Sequence, residues 1–399
     1  MSSPRMLPYG RQSIDDSDIA AVAAVLRGDF LTTGPAVPAF EEKFAEAVGA
    51  PHAIACSSGT AALHIAAVAA GLGPGTAAIV PAVTFLATAN APRLAGAEIV
   101  FADVDPDSGL MRAGDMEDAI ERAARSGLDV RAALPVHLGG QTVDLEAIAA
   151  VAAREGLCLI EDACHAIGTR YGGHTVGSGA HSAMTAFSFH PVKTIAMGEG
   201  GAVTTRDAAL AERLRRLRNH GMVRDATAFE CEEQAFGADG QPNPWYYEMP
   251  EIGLNYRASD IHCALGLSQL SRLPQFVAKR RDLVARYDAL LSATNLPVRR
   301  TSVREGVDAC WHLYAVLIDF AVAGRDRSSV MKALGELGVG TQVHYIPLHL
   351  QPYYRRRYGA LSLPGAERYY AGCLSLPLFP QMEASDVDRV VASLAEVLG

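Results

Sequence analysis

Asp162 and Lys193 are the two side chains in this sequence whose types and surroundings best fit covalent chemistry on a carbonyl group. Asp162 closes the hydrophobic run LIED at residues 159–162, and Lys193 ends the segment SFHPVK at residues 188–193. A hydrophobic strand that ends in a carboxylate places it at the carboxyl edge of an open α/β sheet, where such sheets bind ligands.

This pair of residues matches what pyridoxal 5′-phosphate requires of a protein. The cofactor needs a lysine amine for an imine and an anion that keeps its ring nitrogen protonated, so that the ring accepts electrons. Lys193 and Asp162 supply both groups, and the sequence therefore predicts them as the catalytic residues. Taken singly, each has an ordinary alternative, a solvated surface lysine and an aspartate that caps a strand.

The segment SSGTAALH at residues 57–64 could bind the phosphate of such a cofactor. It follows a strand-like run and opens a helical pattern, and the free amides at a helix N-terminus favour an anion. We therefore expect Gly59 and Thr60 to bind the phosphate, with the Ser188 hydroxyl as a further donor. A glycine turn beside a Ser or Thr N-cap is also ordinary at a helix start, so this interpretation depends on the lysine.

Two further residues could contact the cofactor ring. Phe85, in PAVTFLATAN at residues 81–90, could stack on the flat ring and exclude water, or it could be a core aromatic. His165 lies three residues after Asp162 and could contact the ring hydroxyl, or it could be a buried, hydrogen-bonded histidine. The run GEGG at residues 198–201 has little side-chain bulk and could let the backbone pass close behind the lysine, or it could form a plain hairpin turn.

The composition favours a well-packed globular enzyme. The chain has 399 residues, more than one hydrophobic core usually supports, and 49% of them are hydrophobic. The net charge of -9 disfavours non-specific binding to nucleic acid or to anionic lipid. The first residues lack the apolar run of a signal peptide, and the longest uncharged stretch is broken by polar residues, so we expect no membrane span.

The cysteines indicate a cytoplasmic protein without a metal site. All 7 cysteines are scattered singly, without the paired spacing of a zinc site or a disulfide framework. We therefore interpret them as reduced thiols. None lies in an obvious reactive loop, which disfavours sulfur transfer.

Strand-like and helical runs alternate through the first two-thirds of the chain, which predicts βαβ units and a mostly parallel sheet covered on both faces. The strand-like runs are residues 53–56, 77–80, 98–101, 132–136, 158–161, 184–189 and 202–205. The helical runs between them include residues 60–70, 116–125 and 145–155. Near the start, Ser13 and Asp16 predict a capping box that opens a helix extending to Arg27.

The pattern changes in the last third. A polar excursion at residues 230–250 precedes two helical runs, and strand-like runs at residues 313–318 and 340–345 flank a further helix. A terminal helix is predicted at residues 384–398. We therefore expect an α/β fold with a large cofactor domain, residues 1–270, and a small α+β domain, residues 271–399.

With these residues placed, the chain resembles the DegT/DnrJ/StrS-type sugar aminotransferases, a branch of the fold-type I pyridoxal-phosphate enzymes, over nearly its whole length. The resemblance lies in SSGTAALH, PAVTFLATANA, EDACHAIG, SFHPVKTIAMGEGGAVTT and GLNYRASDIHCALGLSQL. It implies a mostly parallel mixed sheet sandwiched by helices and a homodimer with shared active sites. It also implies that Asn255 reaches the cofactor phosphate of the partner subunit; a helix-entry residue before Ser259 is the alternative.

The resemblance implies transfer of an amino group from L-glutamate, which leaves as 2-oxoglutarate, to a keto-sugar linked to a nucleotide. Lys193 would move the proton and Asp162 would stabilise the protonated ring. Residues that resemble the sugar-binding mouth of the family, with interface packing as the alternative, are Tyr9, Asp29, Phe30, Leu31, Thr32, His344 and Tyr345.

Within the family, the chain is most similar to the transaminases of pseudaminic acid biosynthesis. The supporting features are His165, where many relatives carry Gln, and the runs WHLY at 311–314, VHY at 343–345 and PWYYEM at 244–249. This similarity implies conversion of UDP-2-acetamido-2,6-dideoxy-β-L-arabino-hex-4-ulose to UDP-4-amino-4,6-dideoxy-N-acetyl-β-L-altrosamine. The alternatives are amination of another nucleotide-linked 3- or 4-keto sugar, a different pyridoxal-phosphate reaction such as dehydration, and a non-catalytic regulator.

Overall fold

A computed structural model describes residues 5–399 of the chain as an α/β fold with one large and two small sheets. The helices are α1 Asp16–Leu26, α2 Ala36–Val48, α3 Gly59–Ala69, α4 Leu86–Leu94, α5 Ala113–Arg125, α6 Leu145–Arg154, α7 Ala208–Arg218, α8 Glu232–Ala235, α9 Asp260–Ser271, α10 Leu273–Ser292, α11 Arg327–Glu336, α12 Pro352–Tyr358, α13 Pro364–Gly372 and α14 Ala384–Leu398. The strands are β1 His52–Cys56, β2 Thr76–Pro81, β3 Glu98–Ala102, β4 Asp129–Ala133, β5 Cys158–Asp162, β6 Arg170–Tyr171, β7 His174–Thr175, β8 Met184–Ser188, β9 Gly201–Thr205, β10 Val298–Arg300, β11 Val307–Asp308, β12 Tyr314–Ile318 and β13 Cys373–Leu376.

The large sheet has the strand order β1-β9-β8-β5-β4-β2-β3. The pairs from β8 to β3 are parallel, whereas β9 runs antiparallel to both of its neighbours. Most residues of these strands are buried, as a sheet covered by helices on both faces requires. The mostly parallel mixed sheet predicted from the sequence is therefore confirmed, and each strand-like run of the first two-thirds forms one of its strands. The run predicted at residues 132–136 begins and ends earlier, at β4.

The predicted capping box at Ser13 and Asp16 is wrong by a few residues. The N-cap of α1 is Asp15, whose carboxylate accepts the N–H groups of Ser17 and Asp18, and the Asp18 carboxylate accepts the N–H of Asp15. An acidic side chain at both the N-cap and the third helical position completes the box without Ser13. Asp18 is also buried, where it accepts from Gln269 at 2.7 Å.

The strand predicted at residues 340–345 does not form. Strand β12 already has β10 on one side and β13 on the other, so neither of its edges is open to a further strand. The segment instead meets β13 at a single bridge between Gln342 and Ser375. From there it continues towards the large sheet. The strand predicted at residues 313–318 is present as β12.

The C-terminal residues surround a core of their own. The rings of Tyr287 and Tyr314 stack at 4.3 Å within it, between helix α10 and the sheet β10-β12-β13. Leu7 joins this core, and its backbone pairs with Gly338 and Gly340. The N-terminal residues therefore lie with the C-terminal part of the chain. A domain boundary near residue 270 remains a prediction.

Within residues 5–399, no helix combines the length and the apolar character needed to cross a bilayer. The cysteines of this described part form no disulfide.

Candidate active site

A cavity of about 560 Å³ opens at the carboxyl ends of the parallel strands. It brings together residues that are far apart in the sequence, at the edge where open α/β sheets bind ligands. The residues predicted from the sequence that line it are Tyr9, Gly59, Thr60, Phe85, Asp162, His165, Ser188, Lys193, His344 and Tyr345. The remaining predicted residues, Asp29, Phe30, Leu31, Thr32 and Asn255, do not line it.

Asp162 is the last residue of β5, and its carboxylate is held on both oxygens. Oδ2 accepts the Thr88 hydroxyl at 2.7 Å, and Oδ1 accepts the backbone N–H of Cys164 at 3.1 Å. The Thr84 hydroxyl lies 2.7 Å from that of Thr88, and Thr84 itself lines the cavity. Both threonines are buried. The carboxylate is thereby presented to the cavity in one orientation.

Thr84 and Thr88 were not predicted as site residues from the sequence. Both lie in the run that predicted Phe85, at the turn between β2 and α4. Their four-residue separation in a segment entering a helix was the available signal, because residues at that spacing share one face. Which group this face meets depends on the strand order of the sheet.

Lys193 lies in the loop between β8 and β9, and its amine is at the cavity wall. Burial lowers the pKa of the Lys193 ammonium from its ordinary value, while the nearby Cys164 and Asp162 oppose that change. A lowered pKa increases the fraction of neutral amine, which is the nucleophilic form.

The first turn of α3 forms an anion cradle beside Ser188. Ser58 is the N-cap, and its hydroxyl accepts the Ala61 N–H at 3.1 Å. A Cβ atom added at Gly59 would lie 2.7 Å from the Ser188 Cβ and 3.0 Å from its Oγ, so only glycine fits here. Glycine lets the backbone of the helix start approach Ser188, and the amides of a first helical turn favour an anion.

His165 is buried and lies between a backbone donor and Tyr345. Its Nδ1 accepts the Gly139 N–H at 3.3 Å, and its Nε2 lies 3.2 Å from the Tyr345 hydroxyl. Burial lowers the pKa of His165 well below its ordinary value, so the ring is neutral. Because Nδ1 accepts, the proton of the neutral ring is on Nε2, which donates to the Tyr345 oxygen.

Two more histidines lie close to His165, of which His344 lines the cavity and His312 does not. The His312 ring is 4.4 Å from that of His165, and the Nδ1 of His344 is 2.9 Å from the Ser375 hydroxyl. Burial lowers the pKa of His312 well below its ordinary value and that of His344 to about 3. The three histidines are therefore uncharged at neutral pH. His312 was not predicted as a site residue, although it lies in the quoted run WHLY.

Phe85 lies at the cavity mouth and not in the core. It is 53% exposed, and its ring is 5.9 Å from that of Tyr345. The alternative of a core aromatic is therefore wrong. Opposite, the Tyr9 ring lies 5.4 Å from that of His344.

Cys164 also lines the cavity, a location that the sequence did not indicate. Cys164 follows Asp162 by two residues at the end of β5, which turns it towards the same space. Burial raises the pKa of the Cys164 thiol well above its ordinary value, and Asp162 adds to this increase. The thiol is therefore protonated at neutral pH and is a poor nucleophile.

The predicted residues outside the cavity gather near the start of α9. Phe30 is 55% exposed, the Leu31 carbonyl accepts the Asp260 N–H at 3.1 Å, and Thr32 pairs with Ser259. Asn255, four residues before Ser259, is also exposed. These residues form an exposed patch apart from the cavity of their own chain.

Comparison with known proteins identifies relatives over the whole chain. The model of the DegT/DnrJ/EryC1/StrS aminotransferase family matches residues 12–395. PseC of Helicobacter pylori, an aminotransferase involved in the biosynthesis of pseudaminic acid, is 27% identical, with a TM-score of 0.87 and coverage of 99% of both chains. The aminotransferase TlmJ of Streptoalloteichus hindustanus is 31% identical, with a TM-score of 0.86 over 98% of this chain and 99% of TlmJ. A protein of Streptococcus pneumoniae assigned as a sugar aminotransferase, in its PMP-form, is 25% identical, with a TM-score of 0.86 over 98% of this chain and 97% of its own.

Proposed function

Because this chain belongs to the DegT/DnrJ/EryC1/StrS aminotransferase family, we propose that Lys193 and Asp162 hold its pyridoxal 5′-phosphate for transfer of an amino group to a nucleotide-linked keto-sugar. The enzyme class and the cofactor predicted from the sequence are both confirmed by the family and by the PMP-form of a relative. The observation that carries the assignment of the site is the joint presence of Lys193, Asp162 and the anion cradle in one cavity.

The groups in the cavity fit this cofactor. The cradle at Gly59 and Thr60 suits a phosphate, and the Ser188 hydroxyl adds a donor. The carboxylate of Asp162 suits a protonated ring nitrogen, and Phe85 offers an aromatic face at the mouth. When bound, pyridoxal 5′-phosphate supplies an aldehyde that captures an amino group and a ring that accepts electrons.

The amine of Lys193 then acts as the acid and base of the transfer. It would take the proton from the α-carbon of the amino donor, which we infer to be L-glutamate, and deliver it to the C4′ carbon of the bound cofactor. The lowered pKa of Lys193 favours the first of these steps, because the neutral amine is the base. Asp162 balances the charge of the protonated ring throughout.

The sugar lies against the aromatic wall in this proposal. Tyr9, His344 and Tyr345 line the cavity and offer flat apolar faces beside polar atoms, which suits a sugar ring. The likeness to PseC and the presence of His165 support UDP-2-acetamido-2,6-dideoxy-β-L-arabino-hex-4-ulose as the substrate. Another nucleotide-linked 3- or 4-keto sugar is the second candidate.

A second copy of the chain completes the site. Asp29, Phe30, Leu31, Thr32 and Asn255 are exposed and do not line the cavity of their own chain. We infer that a homodimer brings this patch to the cavity of the other copy, where Asn255 reaches the cofactor phosphate and residues 29–32 reach the sugar.

Borohydride reduction tests the proposed role of Lys193. Reduction of the cofactor-loaded enzyme is expected to add the cofactor mass to the peptide that contains Lys193, and Lys193→Ala is expected to lose the yellow colour and turnover. The other lysines are Lys43, Lys279 and Lys332, and the exposed Lys332 provides the control variant Lys332→Ala. Labelling of one of these three in place of Lys193 would contradict the assignment.

A product assay tests the proposed substrate. The enzyme is incubated with L-glutamate and either the UDP-linked 4-keto sugar or a 3-keto isomer, and 2-oxoglutarate and the amino sugar are measured. We expect amination of the 4-keto sugar; exclusive use of the 3-keto sugar would select the second candidate.

A further inference from the structure

We propose that Thr88 and Thr84 are positioning residues that orient the Asp162 carboxylate towards the cofactor ring. The inference rests on the proposed function, since it concerns the same site. Neither threonine belongs to the group of residues that hold the cofactor or the sugar in that proposal.

The direction of the hydrogen bonds follows from their chemistry. An ionised carboxylate only accepts, so the Thr88 hydroxyl donates to Oδ2 of Asp162 across 2.7 Å. The single proton of Thr88 is then used. The Thr84 hydroxyl, 2.7 Å away, must therefore donate to Thr88. The result is a one-way chain from Thr84 through Thr88 to Asp162.

This chain controls the rotation of the carboxylate. Strand pairing holds the backbone of Asp162, whose N–H donates to Pro135 at 2.8 Å and whose carbonyl accepts from His137 at 3.1 Å. The Cys164 N–H holds only Oδ1. Without the Thr88 hydroxyl, the carboxylate would turn about that one remaining bond, and the oxygen offered to a ring nitrogen would lose its fixed direction.

Burial makes the chain effective. Thr84 and Thr88 are both almost fully buried, so water does not replace a lost hydroxyl. Hydrogen bonds in such a low-dielectric site also polarise one another, and a donor that is itself an acceptor becomes a stronger donor. Thr84 therefore supports Asp162 although it does not touch it.

The same turn also carries Phe85. Thr84 precedes it, and Thr88 lies in the first turn of α4, whose N-cap is Phe85. One short segment thus supplies the Thr88 hydroxyl that contacts Asp162, the Thr84 hydroxyl that supports it, and an aromatic ring at the cavity mouth. The segment therefore positions both Asp162, the proposed partner of the ring nitrogen, and Phe85, which borders the proposed ring site.

Removal of the hydroxyl at position 88 tests the proposal. Thr88→Val keeps the shape of the side chain and is expected to weaken the affinity of the apoenzyme for pyridoxal 5′-phosphate and to lower kcat. Each loss is expected to be about tenfold to a hundredfold, as for other groups that orient a functional ligand. KM for the nucleotide sugar should not change, because Thr88 lies behind Asp162 and does not line the cavity. Thr88→Ser, which retains the hydroxyl, should restore both values.

Thr142→Val is the matched control. Thr142 is buried, but its hydroxyl has no hydrogen-bond partner within residues 5–399, so this variant removes a buried hydroxyl without breaking a bond. It is expected to bind the cofactor like the wild type. If Thr88→Val fails to fold, Thr84→Val is used, and a smaller loss in the same direction is expected because the Thr88 bond to Asp162 remains.

Two negative results remain distinguishable. If Thr88→Val, or Thr84→Val in its place, matches Thr142→Val in cofactor affinity and kcat while the wild type is labelled at Lys193 by borohydride, the positioning role is overturned. If the wild type itself binds no cofactor at Lys193, the proposed function fails instead.

Discussion

The Nε2 atom of His165 lies 3.2 Å from the hydroxyl oxygen of Tyr345, opposite the Nδ1 atom that accepts the Gly139 N–H. Since His165 donates to this oxygen, the hydroxyl proton of Tyr345 is left for another acceptor. Tyr345 lines the cavity, so we expect that acceptor to be an oxygen of the bound substrate or cofactor. The Gly139 N–H thus fixes the proton of the neutral His165 ring on Nε2, and this leaves the Tyr345 hydroxyl free to donate into the cavity.

Tyr345→Phe is therefore expected to lower kcat/KM for the nucleotide sugar by about tenfold to a hundredfold, the cost of leaving a polar group of the substrate without its donor. Steady-state kinetics measure this loss. The exposed Tyr353, which lies outside the cavity, provides the control variant Tyr353→Phe. Equal kinetics for the two variants would show that the Tyr345 hydroxyl contacts no reacting molecule.

Gly59→Ala is expected to weaken cofactor binding by about tenfold or more, because the added Cβ would lie 2.7 Å from the Ser188 Cβ and would push the helix start away from the phosphate. Titration of the apoenzyme with pyridoxal 5′-phosphate measures the effect. Gly114→Ala, in the first turn of α5, is the control because its added Cβ would meet no atom within 4 Å. Unchanged affinity of Gly59→Ala would contradict the placement of the phosphate at this cradle.

His344 is expected to make the protein less stable in acid. Its pKa is about 3 in the folded protein and 6.5 ordinarily, so between these values the unfolded chain binds a proton that the folded chain does not. The free energy of unfolding therefore falls as the pH falls through this window. His344→Gln should flatten that decline by at most about 1.4 kcal/mol per pH unit. Denaturant unfolding of the apoenzyme at several pH values measures the slopes, and parallel slopes for both proteins would refute the assignment.

Co-expression of two inactive variants is expected to restore activity if the homodimer shares its sites. Lys193→Ala removes the amine, and Asn255→Asp places a carboxylate against the phosphate of the other copy's cofactor. A mixed dimer contains one site with both native residues, so random pairing should recover about one quarter of wild-type activity. A purified mixed dimer without activity would mean that Lys193 and Asn255 serve the same copy's site, whereas full activity of Asn255→Asp by itself would mean that Asn255 has no role.

Local sequence was sufficient to predict the elements that present Asp162, Lys193 and Gly59. Each lies next to a strand with a strong hydrophobic pattern, and the carboxyl ends of parallel strands meet at one edge. The α/β fold followed from the same patterns. These features depend on residues close together in the chain.

The contacts between distant segments could not be predicted in this way. The bond between Thr88 and Asp162 depends on the strand order that sets β2 beside β4 and β4 beside β5. The contact between His165 and Tyr345 depends on where residues 340–345 pass, and their alternation predicted a strand where the structure has a single bridge to β13. Alternation of hydrophobic and polar residues in a short segment does not show whether the edge of a sheet is open to pair with that segment.

The pairing of Leu7 with Gly338 and Gly340 bears on how this enzyme is prepared for study. The carbonyl of Tyr9 also accepts the Leu378 N–H at 3.0 Å, so the amino-terminal stretch is anchored on both sides of the cavity wall. A protease cut or a shortened gene that removes Leu7 and Tyr9 would therefore remove part of the cavity wall.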